Sequence, residues 1–363
     1  MTPVALISEG QIRADVNGVL GLITLNRPEA LNALSLPMIR DMTALLKAWA
    51  VDPAIEAIVV LGQGREGKVP AFCAGGDIRF FHKAATAGDG ALDDFFTEEY
   101  ALNHLIHHFP KPYIALMDGI TMGGGMGISQ GARLRVVSEH SRLAMPETAI
   151  GLFPDVGGGW FLAQTPGHIG EFLALTGQVL HAGDAIELGL ADVYVPAAQW
   201  PAMIEALRQG VQDSAEHVAA TVMSLSEVAP EGRIAARQAE IDAHFGKADL
   251  QAIAASLSGH EWGEAMGKLS PLMMAVSLEQ IRRARGMSLA DDLRMERDLV
   301  YHCFHGANAQ AVEGIRAKAV DKDHAPRWQP ASIAEVTPAQ VKSFFERPWA
   351  PKDHPLATLR APS

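Results

Sequence analysis

Residues 113–137 read YIALMDGITMGGGMGISQGARLRVV, and this stretch decides the fold class. The apolar run at 113–117 and the mostly apolar run at 134–137 predict strands. The glycine run between them precedes a short helix, which we expect to begin near Gly123. Strands that alternate with helices are typical of an α/β fold with much parallel pairing.

The alternation of strands and helices extends to both sides of this stretch. Apolar residues alternate with other residues before and after Asn17-Gly18, which predicts a β-hairpin with a type I′ turn at these two residues. From Ser35 to Trp49 the apolar spacing becomes helical. Residues 57–61 and 193–195 predict further strands, so the predicted strands all lie within the first 200 residues.

The C-terminal part of the chain has a helical pattern. Residues 277–280 (SLEQ) and 288–291 (SLAD) both resemble capping boxes that open helices. We therefore predict two domains, a core over residues 1–200 and a mainly helical lobe over residues 201–363. A mostly apolar helical rhythm in this lobe runs through Leu289, Leu293, Glu296 and Val300.

Composition excludes several classes of protein. The 363 residues carry 30 Lys and Arg against 42 Asp and Glu, a net charge of −12, which argues against a nucleic-acid-binding protein. Hydrophobic residues make up 48% of the chain, enough for a sizeable core. Residues 1–18 lack the pattern of a secretory signal, and no apolar run approaches the length of a membrane span. With only two cysteines, we expect a cytoplasmic protein without a membrane partner.

Three local motifs suggest a phosphate loop, a catalytic serine and a metal site, but each is better explained as ordinary structure. Residues 62–68 nearly match a phosphate loop, but Val69 replaces the required Ser or Thr, so an ordinary loop is favoured. Ser129 lies in a formal GxSxG pattern without the strand–elbow–helix context of a serine hydrolase, which favours a small helix residue. His104, His107 and His108 lack the further ligands of a metal set, so we predict solvated or packing histidines and no metal site.

Two glycine segments have the pattern of a ligand-binding site. Residues 73–77 (CAGGD) and 120–125 (ITMGGG) both place glycines after a predicted strand and before a predicted helix. Such glycines allow close backbone approach and leave N–H groups free at a helix start. Two N–H groups from separate segments could converge on one oxygen, as in an oxyanion hole. Ordinary tight turns remain the alternative for either segment alone.

Two acidic residues lie in otherwise apolar sequence. Glu147 follows Pro146 and precedes Gly151, which predicts a very short helix with Glu147 in its first turn. A helix-capping carboxylate is one interpretation. A poorly hydrated carboxylate would instead have a raised pKa and useful basicity. Asp155, just before the glycines 157–159, is similarly placed.

Long motifs in the chain resemble those of the crotonase (enoyl-CoA hydratase/isomerase) superfamily over about residues 10–200. They are ITLNRPEALNAL (23–34), AFCAGGDI (71–78), GITMGGGMG (119–127) and the segment around Glu147. Residues 119–129, 144–162 and 174–177 are more specifically similar to the 3-hydroxyisobutyryl-CoA hydrolase branch of that superfamily, and the resemblance continues to residues 313–328. The resemblance therefore spans nearly the whole chain.

The resemblance implies a crotonase-like spiral of ββα units that binds an acyl-CoA thioester. By position, the backbone N–H groups of Gly76 and Gly124 would form the oxyanion hole, and Glu147 would be the catalytic carboxylate. Asp155 and Glu99 would line the pocket for the distal hydroxyl of the substrate. CoA is part of the substrate, so no separate cofactor is implied. The residues that would bind the CoA thioester are Asn26, Arg27, Ala30, Ala74 and Ile78.

One departure from the family pattern bears on the reaction. Hydratases of the superfamily carry a second catalytic Glu where this chain has Gly127, which disfavours hydration. Isomerases also lack that Glu, so an isomerase or hydratase remains the alternative to hydrolysis. We expect hydrolysis of a short 3-hydroxyacyl-CoA, with 3-hydroxyisobutyryl-CoA of valine catabolism as the best candidate. A Ser129 hydrolase and a non-catalytic acyl-CoA-binding protein are less favoured, and the resemblance allows a homo-oligomer.

Overall fold

The computed structural model describes residues 4–209 and 214–360. Residues 1–3, the beginning of the segment considered above for a targeting signal, lie outside the described residues. The chain divides into two compact units, each built from three separate segments. Unit 1 comprises the residues up to Gly76, Ala101–Leu143 and Val179–Ala235. Unit 2 comprises Asp77–Tyr100, Ala144–Gln178 and the residues from Ala236 onward.

Strands are confined to the first 200 residues of the described chain. They are β1 (Ile12–Asn17), β2 (Leu20–Leu25), β3 (Ala57–Gly62), β4 (Ala71–Cys73), β5 (Tyr113–Met117), β6 (Ile120–Met122), β7 (Leu134–Val137), β8 (Arg142–Ala144) and β9 (Val193–Tyr194). The α-helices are α1 (Leu36–Val51), α2 (Ile78–Ala87), α3 (Ala91–His107), α4 (Gly124–Gln130), α5 (Gly158–Leu162), α6 (Ile169–Thr176), α7 (Ala182–Glu187), α8 (Trp200–Arg208), α9 (Ser214–Met223), α10 (Gln238–Phe245), α11 (Leu250–Ser256), α12 (Glu261–Met266), α13 (Pro271–Ala284), α14 (Leu289–His305), α15 (Ala311–Ile315) and α16 (Pro338–Phe344).

The main sheet of unit 1 confirms the predicted α/β class. Its six strands lie in the order β1-β2-β3-β5-β7-β9, and a second sheet has the order β4-β6-β8. Only the β1–β2 pair of the main sheet is antiparallel; the other pairs are parallel. Strands β3 and β5 are apolar and largely buried along their length, as expected for central parallel strands covered on both faces.

The first hairpin forms, but its turn is displaced by one residue from the prediction. Asn17 pairs with Leu20, so Gly18 and Val19 form the turn. Of the two, Gly18 alone has a positive φ, of 63°. The predicted type I′ turn at Asn17-Gly18 is therefore wrong, because Asn17 completes the β1 ladder instead.

The sheet of unit 1 is covered by helices that follow residue 200. Trp200, Met203 and Leu207 of α8 and Val218 and Val222 of α9 are buried in one apolar cluster with sheet residues. The sheet side of that cluster comprises Leu20, Ala57, Val59, Ile114, Leu116, Val136 and Val193. The compact units therefore differ from a division at residue 200, because α8 and α9 belong with the sheet.

Unit 2 is mainly helical and combines early and late parts of the chain. Helix α13 packs against α5 and α6, and α15 packs against α2. The rings of Phe81, Phe95, Phe96 and Phe304 form an aromatic cluster, in which the centroids of neighbouring rings lie 4.7 to 6.3 Å apart. The predicted helical character of the C-terminal region is confirmed. Its helices from residue 236 onward form one compact unit with residues 77–100 and 144–178.

One of the two predicted capping boxes is wrong. Ser277 lies in the middle of α13, where its hydroxyl donates to the Met273 carbonyl at 2.7 Å. The helix begins nearly two turns earlier, where Ser270 accepts a hydrogen bond from the Met273 amide. Ser288 does cap α14, accepting from the Asp291 amide at 3.1 Å as predicted.

Candidate active site

Three carboxylic acids lie buried together in unit 2. Glu99 is 2% exposed, Glu147 is 6% exposed and Asp155 is 7% exposed. Glu99 and Tyr100 lie in α3, and the Tyr100 hydroxyl donates to Asp155 Oδ2 at 2.8 Å. Glu99 Oε1 and Glu147 Oε2 have no hydrogen-bond partner among the described residues. Buried polar atoms in proteins are nearly always hydrogen-bonded, so two unpaired carboxylate oxygens are exceptional. Their lack of a partner in the described part of the chain is what a substrate-binding site requires.

Burial and mutual repulsion shift the proton affinities of these acids. Burial raises the pKa of Glu99 well above its usual range, and the charges of Asp155 and Glu147 raise it further. Burial and Asp155 also raise the pKa of Glu147. The pKa of Asp155 is raised to about 6 by burial, against the lowering effect of the Tyr100 hydrogen bond. The cluster can therefore hold and exchange a proton near neutral pH.

The turn that carries Glu147 is held by the C-terminal region. Glu147–Ile150 is a one-turn 3-10 helix, which confirms the predicted short helix. Gly151 ends it with a φ of 75°. A Cβ on Gly151 would lie 2.3 Å from the Gln310 carbonyl oxygen, so only glycine allows this approach. The Ser270 amide donates to the Thr148 carbonyl at 3.0 Å, which adds a second anchor.

Two further buried acids, which belong to no recognisable sequence motif, accept hydrogen bonds from the glycine turn after Asp155. Glu296 accepts the Gly157 and Gly159 amides at 2.7 and 2.9 Å, and Asp292 accepts the Trp160 amide at 2.8 Å. Both acids are 0% exposed and lie on α14. The one signal in the sequence was an acid, Glu296, within the apolar rhythm of a predicted helix.

Two glycine segments of unit 1 approach each other at the ends of parallel strands β4 and β6. A Cβ on Gly75 would lie 3.6 Å from the Gly124 nitrogen. Gly124 is the first residue of α4, where amides have no acceptor within the helix. A Cβ on Gly125 would lie 2.2 Å from the Cys73 carbonyl oxygen, which explains the glycine there. The segments of Gly76 and Gly124 are therefore neighbours.

The residues expected to bind CoA fall into two groups. Asn26 and Arg27 each donate a side-chain hydrogen bond to a nearby backbone carbonyl, at 2.7 Å in both cases. Ala30 ends a short 3-10 helix, and the Ala74 amide donates to the turn that follows it at 3.0 Å. These four residues therefore lie near one another within unit 1. Ile78 begins α2 in unit 2.

The structure also shows where the loop at residues 62–68, Ser129 and the three histidines of α3 and its end lie. The segment 62–68 leads from strand β3 to strand β4 rather than into a helix, so the phosphate-loop interpretation is wrong. Ser129 is buried in α4, and its hydroxyl donates to the Gly125 and Met126 carbonyls. The rings of His104 and His107 each contact His108 edge to face.

Within residues 4–209 and 214–360, no cluster of three or more His, Cys, Asp or Glu residues is arranged to hold a metal ion. Over the same residues, no helix combines the length and the apolar character needed to cross a membrane. Cys73 and Cys303 are both buried, and neither forms a disulfide with another described residue.

Comparisons with known proteins agree on one family. The model of the enoyl-CoA hydratase/isomerase family matches residues 20–345. The 3-hydroxyisobutyryl-CoA hydrolase, mitochondrial, of Gallus gallus is 39% identical over 350 residues, which cover 93% of this chain and 89% of the relative. The Homo sapiens protein of the same name is 38% identical over 347 residues, covering 93% and 88%.

Two solved structures share the fold over most of the chain. A carnitinyl-CoA dehydratase from Mycobacterium thermoresistibile has a TM-score of 0.85 and 36% identity, covering 93% of this chain and 96% of that one. An enoyl-CoA hydratase from Rhodobacter sphaeroides 2.4.1 has a TM-score of 0.84 and 39% identity, covering 93% and 98%. The resemblance seen in the sequence motifs is thus confirmed, and this chain belongs to the enoyl-CoA hydratase/isomerase family.

Proposed function

We propose that the protein hydrolyses a short 3-hydroxyacyl-CoA thioester, with 3-hydroxyisobutyryl-CoA as its substrate. The observation that carries this proposal is the buried Glu147, whose Oε2 is unpartnered, beside Asp155 and Glu99. The curated relatives named above carry the corresponding hydrolase name over 93% of this chain. Water and the thioester are the only reactants, so the reaction requires no cofactor beyond the CoA of the substrate.

In this proposal each site residue has a defined role. The amides of Gly76 and Gly124 bind the thioester oxygen, and each such donor typically contributes about 10²–10³ in rate. Glu147 is the base or nucleophile. Asp155 and Glu99 orient the 3-hydroxyl group. The CoA moiety is bound by Asn26, Arg27, Ala30, Ala74 and Ile78.

The chemical step exchanges a carbon–sulfur bond for a carbon–oxygen bond. In one route Glu147 deprotonates a water molecule, whose oxygen adds to the carbonyl carbon as the CoA thiolate leaves and takes up the proton. In the other route Glu147 attacks the carbonyl carbon directly and the CoA thiolate leaves, which forms an anhydride. Water then opens the anhydride, and its proton passes to the thiolate. Turnover in ¹⁸O-labelled water that places the label in the Glu147 carboxylate establishes direct attack, with water opening the anhydride at the Glu147 carbonyl carbon, because the first route puts the label only in the acid product.

A second candidate is an isomerase or hydratase activity on the same fold. The names of the two solved structures, a dehydratase and a hydratase, favour it. Against it, the described helix α4 carries no acidic residue and has Gly127 where hydratases place their second Glu. Paired acid and base groups are needed to add water across a double bond.

A side-by-side assay distinguishes the two candidates. We expect 3-hydroxyisobutyryl-CoA to release free thiol, detected with a chromogenic disulfide, and crotonyl-CoA to be hydrated far more slowly. Rapid hydration of crotonyl-CoA without thiol release would instead establish the second candidate. Tight binding of both compounds without turnover would indicate a non-catalytic acyl-CoA-binding protein.

Two further features belong to the proposal. We place the activity in the cytoplasm because a chain with only two cysteines suits a reducing compartment. We also propose a homo-oligomer, on the resemblance to a family whose members often assemble. Cell fractionation tests the first, and light scattering coupled to size-exclusion chromatography tests the second.

A further inference from the structure

Helix α14 presents an ionisable side chain directly behind the glycine turn of Asp155. The two oxygens of Glu296 accept the amides of Gly157 and Gly159, at 2.7 and 2.9 Å. Gln280 Nε2 links the same carboxylate, at 3.1 Å, to the Pro154 carbonyl, at 2.7 Å. Glu296 therefore contacts the backbone two residues after Asp155, and through Gln280 it also reaches the residue before it.

The turn needs such support because its backbone is strained. Val156 has a φ of 60° and Gly157 has a φ of 87°. A β-branched residue rarely adopts a positive φ, and such a conformation persists only where surrounding contacts enforce it. The Glu296 bonds are such contacts, and they hold the backbone two and four residues after Asp155.

The charge on Glu296 is matched to these amides rather than to a cation. Among the described residues, no Lys or Arg forms an ion pair with Glu296, and the neighbouring Arg297 pairs with Asp93. Because both Glu296 oxygens accept N–H groups, its ionised form fits the turn. Burial raises the pKa of Asp292 to about 7 and the pKa of Glu296 well above its usual range, so the two acids share a proton near neutral pH. The amides that donate to both Glu296 oxygens favour the proton on Asp292.

Helix α14 also contacts helix α3, which carries Glu99 of the acid cluster. Arg297 Nε donates to Thr97 Oγ1 at 3.0 Å, and Arg297 Nη2 lies 2.7 Å from Asp93 Oδ1. Both partners belong to α3, which carries Glu99 and Tyr100. Adjacent residues of α14 thus fix the two elements whose side chains meet in the Tyr100–Asp155 hydrogen bond.

We infer that Glu296 is a positioning residue that aims the Asp155 carboxylate at the 3-hydroxyl group of the acyl chain. This inference rests on the proposed function and adds to it a determinant of hydroxyl specificity located in the C-terminal region. A purely structural acid would affect all substrates alike. A residue that acts through Asp155 should affect only the preference for a hydroxylated acyl chain.

The test compares kcat/KM for 3-hydroxyisobutyryl-CoA and for isobutyryl-CoA, which lacks the hydroxyl. In Glu296→Gln one oxygen becomes an NH₂ group, so one turn amide loses its acceptor. We expect the ratio of the two kcat/KM values to fall about tenfold, the usual effect of losing one hydrogen bond to a charged group. Asp155→Asn should lower the ratio similarly, and the double variant should fall no further than about twofold below Asp155→Asn.

The matched control is Glu279→Gln, a surface acid on α13 paired with Arg283, which should leave the ratio unchanged. An unchanged ratio in Glu296→Gln, or effects of Glu296→Gln and Asp155→Asn that simply multiply, would overturn the inference. If Glu296→Gln does not fold, Glu296→Asp is used, because its shorter side chain can reach only one of the two amides.

A structural readout separates this inference from the proposed function. If the wild-type protein releases no thiol from either compound, the proposed function fails. A crystal structure of Glu296→Gln then decides the positioning role. We expect the 2.8 Å contact between the Tyr100 hydroxyl and Asp155 to be broken. An intact contact would overturn the positioning role.

Discussion

Replacing Tyr100 by Phe removes one hydrogen bond from the acid cluster and should move the pH dependence of the reaction. The Tyr100 hydroxyl donates to Asp155 at 2.8 Å, and burial raises the pKa of the phenol, so it remains a donor throughout the neutral range. The bond favours the ionised form of Asp155. Its loss must therefore raise the pKa of Asp155 further.

The size of the shift follows from the strength of such a bond. A hydrogen bond to a charged group is worth about 1.5–3 kcal/mol, and one pKa unit corresponds to about 1.36 kcal/mol. From about 6 in the wild-type protein, the pKa of Asp155 should rise to roughly 7–8. The charges of Glu99 and Glu147 act on the same group, so the measured value belongs to the cluster.

The assay is the pH profile of kcat/KM for thiol release from 3-hydroxyisobutyryl-CoA. We expect the acid limb of Tyr100→Phe to lie roughly 1–2 pH units above that of the wild type, because ionised Asp155 is needed to accept the substrate hydroxyl. Tyr113→Phe is the matched control, since the Tyr113 hydroxyl is also buried but donates to the Ile128 carbonyl. An acid limb that stays in place or moves to lower pH would refute the reasoning.

Three further variants test the surroundings of the site. Asp155→Asn should stabilise the protein above pH 6 by up to about 3 kcal/mol. The pKa of Asp155 is raised from 3.8 to about 6, so the native state binds the proton more tightly than the unfolded state and the ionised carboxylate destabilises the fold. Denaturant unfolding should therefore show the gain in the free energy of unfolding at pH 8 and not at pH 4. Gly151→Ala should cost more stability than Gly88→Ala by about 2 kcal/mol or more, since both have positive φ but only the first collides with Gln310; equal losses would contradict this. Ser129→Ala should retain thiol release, and its inactivation would revive the serine hydrolase.

Local pattern predicted the strands of the sheet and the short helix of Glu147 well. Tyr113–Met117 is a continuous apolar run that is buried throughout. Leu134–Val137 is apolar apart from Arg135 and is buried at Val136 and Val137, as expected for a strand in a covered parallel sheet. The short helix of Glu147 was bounded correctly because Pro146 and Gly151 have conformational preferences that do not depend on distant contacts.

The misses arise where a local signal competes with pairing elsewhere. Asn17-Gly18 favours a type I′ turn, yet pairing of Asn17 with Leu20 extends β1 by one residue. Ser277 matches a capping pattern but lies within a helix already begun at Ser270. Both errors concern boundaries that are decided by the neighbouring strand or turn rather than by the motif itself.

The division into units and the supporting acids could not be read from local sequence. Helices α8 and α9 are placed by an apolar face that fits the sheet, which only tertiary packing reveals. Glu296 interrupts an apolar stripe by one charge, and its two acceptor bonds lie 139 and 137 residues away along the chain. Such contacts leave no pattern within a window of sequence.

The most direct test of the account is the turnover of Glu147→Gln with 3-hydroxyisobutyryl-CoA. We expect thiol release to fall by about 10²-fold or more, as for the loss of a general base, while calorimetry shows thioester binding close to that of wild type. Glu279→Gln, which changes the same functional group at the surface, should keep wild-type turnover. Near-normal thiol release by Glu147→Gln would remove this carboxylate from the chemistry and contradict the account.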